Sequence, residues 1–404
     1  MTAGLAANRG QVGLLLVQVA FVGLTLGLTR TVVPGLAESE FGVPRGSFLA
    51  LGGFVIAFGA VKAALNFVAG AWSERVGRKP VLVAGWIAAL PVPVMIWAAP
   101  NWGWIVAATM LLGVNQGLCW SMTQTAKLDL TLPGERGLVM GLNEFAGYAG
   151  MALGGLATAA AAQALGPRAT ILVAGLAVVL AAMALAAVAV RESRPPTPRG
   201  AGATVATGWV FARMTWADRR LAALSQAGLV EKFVDALVWV ILPGWLIGRG
   251  LSLTGAGAVA AVYGLTWGVA QIGTGRLSDR IGRLIPNVGG MVLSGLGVLL
   301  FPLMAGAAGY AVAAALTGLG MALLYPNLSA AVADLAEPEW RGAAIGIYRF
   351  WRDLGYAVGA LGFGLVAQGT GSAGAAFWFT GLAMLASAAL LWWWGADSDR
   401  HRQP

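Results

Sequence analysis

Nine charged side chains stand inside long apolar runs of this sequence: Arg30, Lys62, Lys232, Arg349 and Arg352, with Glu144, Glu231, Asp235 and Asp353. Buried carboxyls beside cations can take up and release protons, because burial and a neighbouring cation act on proton affinity in opposite directions. Guanidinium and ammonium groups held away from water offer a seat to a carboxylate or phosphate. Spacing groups these residues. Lys62 and Asn66 share one helix face, as do Glu231 and Asp235, and Arg349, Arg352 and Asp353 form one cluster. Gln116, Trp120, Thr123 and Lys127 make a polar and aromatic stripe at helical spacing, with Gln124 beside it. Metal chemistry has little to work with: Cys119 is the single cysteine and His401 the single histidine. We expect no metal and no cofactor. No nucleophile–base pair is evident, so no enzyme is expected.

The elements that carry these charges are membrane helices. Hydrophobic residues make up 58% of the 404 residues and charged residues 11%, against about 25% charged in soluble domains. Seventeen Trp and 59 Gly suit membrane interfaces and close helix contacts. Twelve apolar segments are expected at about 12–34, 47–70, 80–99, 102–126, 137–162, 167–190, 223–247, 253–275, 285–305, 308–333, 341–366 and 373–394, each near the ~20 residues needed to cross hydrocarbon. Residues 12–29 form a full-length span without a convincing cleavage site, so no signal peptide is expected. Nine charges facing lipid would cost roughly 25 kcal/mol, beyond the stability of a typical domain at about 5–15 kcal/mol. They must face one another or a watery chamber. Eighteen Lys and Arg, Lys127 among them, fall on one side of this topology, and Arg45, Arg168 and Arg249 on the other. The net charge of +9 is therefore read as topology rather than nucleic-acid binding, with both termini cytoplasmic.

The chain repeats itself. Gly70–Lys79 reads GAWSERVGRK, and Gly275–Arg283 reads GRLSDRIGR, 205 residues later. At the same offset, Arg136-Gly137 and Gly141 meet Arg341-Gly342 and Gly346, Trp120 meets Tyr325, and Asp129 meets Asp334. A motif recurring at half-length means two tandem halves.

These islands resemble the signature loop of the major facilitator superfamily (MFS) of secondary transporters, in which a Gly, an acid, an Arg and a Gly-Arg pair join the second and third membrane helices. The resemblance implies an all-α membrane protein with the MFS fold: twelve transmembrane helices in two pseudo-symmetric six-helix bundles. The expected division is residues 1–190, a cytoplasmic linker 191–222, and residues 223–404 with a short tail. The linker opens proline-rich, and its Trp209, Phe211 and Trp216 suggest a short amphipathic helix. In such a fold, helices 1, 4, 7 and 10 line the cavity and 2, 5, 8 and 11 flank it. Lys62 then approaches Asp353, and Arg30 and Asp235 face one vestibule. The implied roles are gating for Glu74, Arg75, Arg78, Asp279, Arg280 and Arg283, and proton coupling for Glu144, Asp235 and Asp353. Substrate contact falls to Arg30, Lys62, Asn66, Gln116, Trp120, Gln124, Asp235, Tyr325, Arg349 and Arg352.

Plainer readings stand beside these. Lys62–Asp353 is alternatively a permanent pair, Arg30 a snorkelling side chain, Glu231-Lys232 an inner-mouth pair, and Trp120 and Tyr325 packing aromatics. The expected function is secondary transport of a small anionic or zwitterionic solute, coupled to H+, by a monomer in the cell inner membrane. Drug–proton antiporters of the superfamily carry an Arg where this chain has Gly113 and a Gly-Pro where it has Gly150-Met151, which argues against drug efflux. Proton-coupled efflux of drugs or metal ions, and a non-transporting receptor or scaffold with the same fold, are the alternatives.

Overall fold

The computed structural model describes residues 4–30, 32–44, 47–132, 135–193, 206–337 and 340–396. Backbone groups in lipid must pair within their own segment, and the described residues accordingly form helices joined by short turns. Twelve long rods follow in chain order. They are α1 (Leu5–Arg30, continued by Val33–Ser39), α2 (Phe48–Val76), α3 (Arg78–Ala89, continued by Pro91–Trp97), α4 (Trp102–Asn115, then a π turn Gln116–Trp120, then Ser121–Leu130), α5 (Arg136–Leu165), α6 (Pro167–Val188), α7 (Arg219–Val240, continued by Leu242–Gly248), α8 (Leu253–Ile281), α9 (Leu284–Leu300), α10 (Gly306–Leu335), α11 (Arg341–Thr370) and α12 (Gly374–Ala396). Ten of these are long and apolar enough to cross a membrane by length and composition. The other two are α7 and α11, whose apolar character is diluted by Glu231, Lys232 and Asp235 and by Arg349, Arg352 and Asp353. The helices richest in internal charge are thus the two that hydropathy alone passes over.

Prolines set the bends. Pro91 opens the second piece of α3 and Pro243 the second piece of α7, because a proline ring removes one backbone donor and clashes one turn back. The two halves show the same construction. The bounds of α2 and α8 differ by 205 residues at both ends, and so do those of α5 and α11. Within each half α1 packs closely on α5 and α7 on α11. Glycine makes these contacts possible: a Cβ at Gly23 would lie 1.9 Å from Gly147 O, and one at Gly355 would lie 2.0 Å from Leu229 O. Such close backbone approach is how helices associate where no hydrophobic effect drives them. Between halves, α2 packs on α11 and α5 on α8.

The structure departs from some sequence expectations. Lys127, assigned above to a polar connection, is buried in the last turn of α4, where Nζ donates to Leu15 O at 3.2 Å; the fourth span runs past residue 126 to Leu130. Arg30 does not snorkel to an interface, because it is buried on an acid of the other half. Glu231 and Lys232 are wholly buried, not an inner-mouth pair. Between α6 and α7, residues 207–217 form a short helix and π turn. Its Arg213 lies 5.0 Å from the Trp209 ring and 5.2 Å from the Trp340 ring, and Trp351 Nε1 donates to Thr215 Oγ1 at 3.1 Å. The proline-rich stretch before it lies outside the described residues.

Candidate functional site

At the end of the molecule opposite the two islands, a vestibule of about 620 Å³ opens between the halves, walled by Val32, Phe48, Leu51, Val240, Ile241 and Trp245 among others. Beneath it the charges of the apolar runs meet in a closed chamber. Helix ends place the first of them: the long piece of α1 ends at Arg30, and α7 breaks at Ile241, six residues beyond Asp235. Arg30 Nη2 lies 2.8 Å from Asp235 Oδ1, which joins the two halves. Asp235 also receives Lys232 Nζ at 3.3 Å, the Tyr263 hydroxyl at 3.3 Å and the Tyr356 hydroxyl at 2.5 Å. A small cavity of about 30 Å³ lies against Arg30, Gly264 and Tyr263, room for a water or two.

Lys232 stands in an aromatic cage. Its ammonium lies 4.6 Å from the Tyr325 ring centre, 4.8 Å from Trp267, 5.6 Å from Tyr356 and 6.0 Å from Tyr148. Desolvated cations gain most from such ring faces. Tyr148 of α5 comes from the other half and stacks on Trp267 with ring centres 3.6 Å apart.

Deeper in the chamber, Asp353 collects three partners. Arg352 donates to both its oxygens at 2.9 and 3.1 Å, Lys62 Nζ lies 3.6 Å from Oδ2, and the Asn66 amide donates to the same oxygen. Ser121 of α4 donates to Asn66 at 2.7 Å and orients that amide. Arg352 also faces the Tyr325 ring at 4.9 Å. Nearest the islands, Glu144 Oε1 accepts from Gln124 at 2.5 Å, Asn143 at 2.7 Å and Trp120 at 3.4 Å. Gln124 in turn accepts from Arg349 of the other half. Gln116 donates to Val22 O at 2.9 Å and to Thr25 at 3.2 Å, so it ties α4 to α1. The π turn that carries Gln116 and Trp120 widens α4 where these side chains turn inward, a feature common at functional sites.

The structure thus brings Arg30, Lys62, Asn66, Trp120, Gln124, Glu144, Asp235, Tyr325, Arg349, Arg352 and Asp353 into one network, with Gln116 beside it. Tyr148, Tyr263, Trp267 and Tyr356 were missed, as was the central place of Lys232. A signal for part of this was in the sequence. The 205-residue offset that aligns the islands also maps Arg30 onto Asp235, Glu144 onto Arg349, Lys62 onto Trp267, and Tyr148 onto Asp353. The first pair meets directly and the second through Gln124; the other two are joined crosswise, Lys62 to Asp353 and Trp267 to Tyr148.

The islands form two matched clusters. In the first, Arg78 Nε donates to Asp129 Oδ2 at 3.2 Å and Nη1 to Ser73 Oγ. In the second, Arg283 Nε donates to Asp334 Oδ2 at 3.0 Å and Nη1 to Ser278 Oγ. Gly77 and Gly282 turn the chain at φ of +97° and +84°, the region glycine enters without strain. Glu192 caps α3 by accepting from the Arg78 and Lys79 backbone amides at 2.8 and 3.0 Å, where the helix dipole favours an anion. Arg75 and Arg280 are exposed. The side chains of Glu74 and Asp279 lie outside those described.

Comparison with known proteins agrees with this architecture. The family model of the Major Facilitator Superfamily matches residues 15–230 and 224–404. An MFS-type transporter of Burkholderia mallei (strain SAVP1) is 26% identical over 359 residues, covering 84% of this chain and 83% of that one. An MFS-type transporter of Salmonella typhimurium (strain LT2) is 23% identical over 274 residues; that match takes in 66% of this chain and 63% of the relative, a little under two thirds of its length. Among solved structures, the human organic anion transporter MFSD10 (TETRAN) superposes with a TM-score of 0.72 at 20% identity, covering 95% of this chain and 99% of that one. The fold, the paired islands and the match along nearly the whole length lead to one assignment: this chain is a multi-pass membrane protein of the Major Facilitator Superfamily.

Proposed function

We propose that this protein is a secondary transporter of a small organic anion or zwitterion, working by alternating access and coupled to H+. The observation that carries the reading is the charge balance of the chamber. Five cations are buried or half-buried there (Arg30, Lys62, Lys232, Arg349 and Arg352) against four acids (Glu144, Glu231, Asp235 and Asp353). A chamber with surplus cations, closed from water, favours an incoming negative group. The anion in the human neighbour's name points the same way, although a likeness at 20% identity carries the fold alone.

In this reading, residues 1–190 and 223–404 rock about the chamber, with 191–222 as their cytoplasmic tether. Arg30, Lys62, Asn66, Gln116, Trp120, Gln124, Asp235, Tyr325, Arg349 and Arg352 bound the solute. Glu144, Asp235 and Asp353 exchange cationic partners as H+ is taken up. Arg78 and Arg283, with Glu74, Arg75, Asp279 and Arg280, lock the cytoplasmic side while the vestibule is open. The protein acts as a monomer in the inner membrane, both termini inside.

A thermal-shift screen of the purified protein against organic anions, amino acids, cationic drugs and metal ions, at two pH values, tests this. Anions or amino acids should stabilise, by about 2.7 kcal/mol at a hundredfold excess over Kd. Stabilisation by drugs or metal ions alone would overturn the substrate class. A hit whose uptake into liposomes ignores an imposed pH gradient would remove the coupling.

A further inference from the structure

The four acids of the chamber are not equivalent. Asp235 is held by two cations and two phenols. Asp353 is held by a guanidinium, an ammonium and an amide. Glu144 accepts three N–H donors on one oxygen. Glu231 is fully buried, and neither of its oxygens receives a hydrogen bond from the described residues. Among the described residues its one ion-pair partner is Lys232, at 3.7 Å, and Lys232 lies nearer to Asp235, at 3.3 Å. A buried ionised carboxylate without donors carries a heavy desolvation cost, and one that takes up a proton sheds most of it.

We infer that Glu231 is the proton-binding carboxyl of the transport cycle and that Lys232 reports its state to the anion site. This rests on the proton-coupled reading above and names its site. One proton adds to a Glu231 oxygen and later leaves it; no other bond forms or breaks. The groups around Glu231 set the direction. Lys232 and Asp235 share its helix; Arg352, Asp353 and Tyr348 on α11, Tyr325 on α10 and Tyr263 on α8 act on it electrostatically without bonding to it. The α9 and α12 helices, which also pack on α7, carry no titratable side chain along Leu284–Leu300 and Gly374–Ala396. When Glu231 is neutral, Lys232 belongs to Asp235, whose grip on Arg30 loosens, and the chamber's cation surplus rises by one. When Glu231 is ionised, it competes for Lys232, and Asp235 turns fully to Arg30. Proton uptake therefore promotes anion binding, which makes the two cargoes travel together.

Infrared difference spectroscopy on the full chain in lipid nanodiscs reads this without a known solute. The wild type should show the carbonyl stretch of a neutral carboxylic acid, titrating between acid and alkaline buffer. Glu231→Gln should lose that band, while Glu144→Gln should keep it. Should Glu231→Gln not fold, Glu231→Asp serves instead and should shift the band frequency. A band absent from the wild type, retained in Glu231→Gln, or unmoved in Glu231→Asp overturns the assignment. Uptake driven by a pH gradient in a protein lacking the band would retain proton coupling and refute only this site. A titrating Glu231 band with gradient-indifferent uptake would do the reverse.

Discussion

The two seams between the halves are built on one frame and filled with different chemistry. Where α2 meets α11, Lys62 faces Asp353 at 3.6 Å. At the positions 205 residues removed, where α8 meets α5, Trp267 stacks on Tyr148 at 3.6 Å between ring centres. One seam holds charge that must be matched; the other holds dispersion and ring packing. The comparison shows what duplication leaves free: helix bounds stay equivalent, as do the close approaches of Gly113 to Phe58 O and Gly318 to Tyr263 O, whereas the groups at the axis diverge. Divergence is sharpest where mates carry opposite charge, as with Arg30 and Asp235 or Glu144 and Arg349. An ion pair between mates, such as Arg30 with Asp235, needs unlike residues at equivalent positions, so that part of the charge network requires that the halves cease to be copies.

Breaking the charged seam should have the largest effect. Asp353→Asn strands Lys62 and Arg352 in the interior and should cost about 3–5 kcal/mol, seen as a lowered thermal unfolding midpoint in detergent. Lys62→Met should cost clearly less, because Arg352 stays on Asp353. Equal losses would show that the seam pair and the Arg352 pair are not separable.

The islands sharpen the contrast from another side. The Arg78 and Asp129 side chains are 6% and 17% exposed, against 28% and 59% for Arg283 and Asp334. Arg78→Ala should therefore cost about 1–3 kcal/mol and Arg283→Ala below about 1 kcal/mol. A larger loss from Arg283→Ala would refute burial as the deciding factor. The smallest change is expected in the aromatic seam. Trp267→Phe keeps a ring against Tyr148 and should lose about 0.5–1.5 kcal/mol, measured in the same assay. A loss as great as that of Asp353→Asn would mean that the cage around Lys232, not the ion pair, dominates this level.

Much of the architecture was legible from hydropathy and the repeated island, because length, apolarity and periodic signature are local properties of the chain. The charge clusters on α7 and α11 were legible too, since a charge in an apolar run is conspicuous. What could not be read was packing. The aromatic residues Tyr148, Trp267 and Tyr356 look like any membrane-helix aromatics until α5, α8 and α11 converge on Lys232. Lys127 was misplaced because one further helical turn carries it from the surface into the interior. Glu231 stood out only when the donors to every acid could be compared.

The rocking of the two halves about the chamber is tested most directly by distance measurements between spin labels in a background lacking Cys119. One pair joins Arg75 and Arg280 at the island end, and a second joins Ser39 and Arg249 at the vestibule end; all four positions are exposed. On passing between acid and alkaline buffer, one distance should lengthen as the other shortens. Distances that stay fixed, or that change in the same sense at both ends, would contradict alternating access.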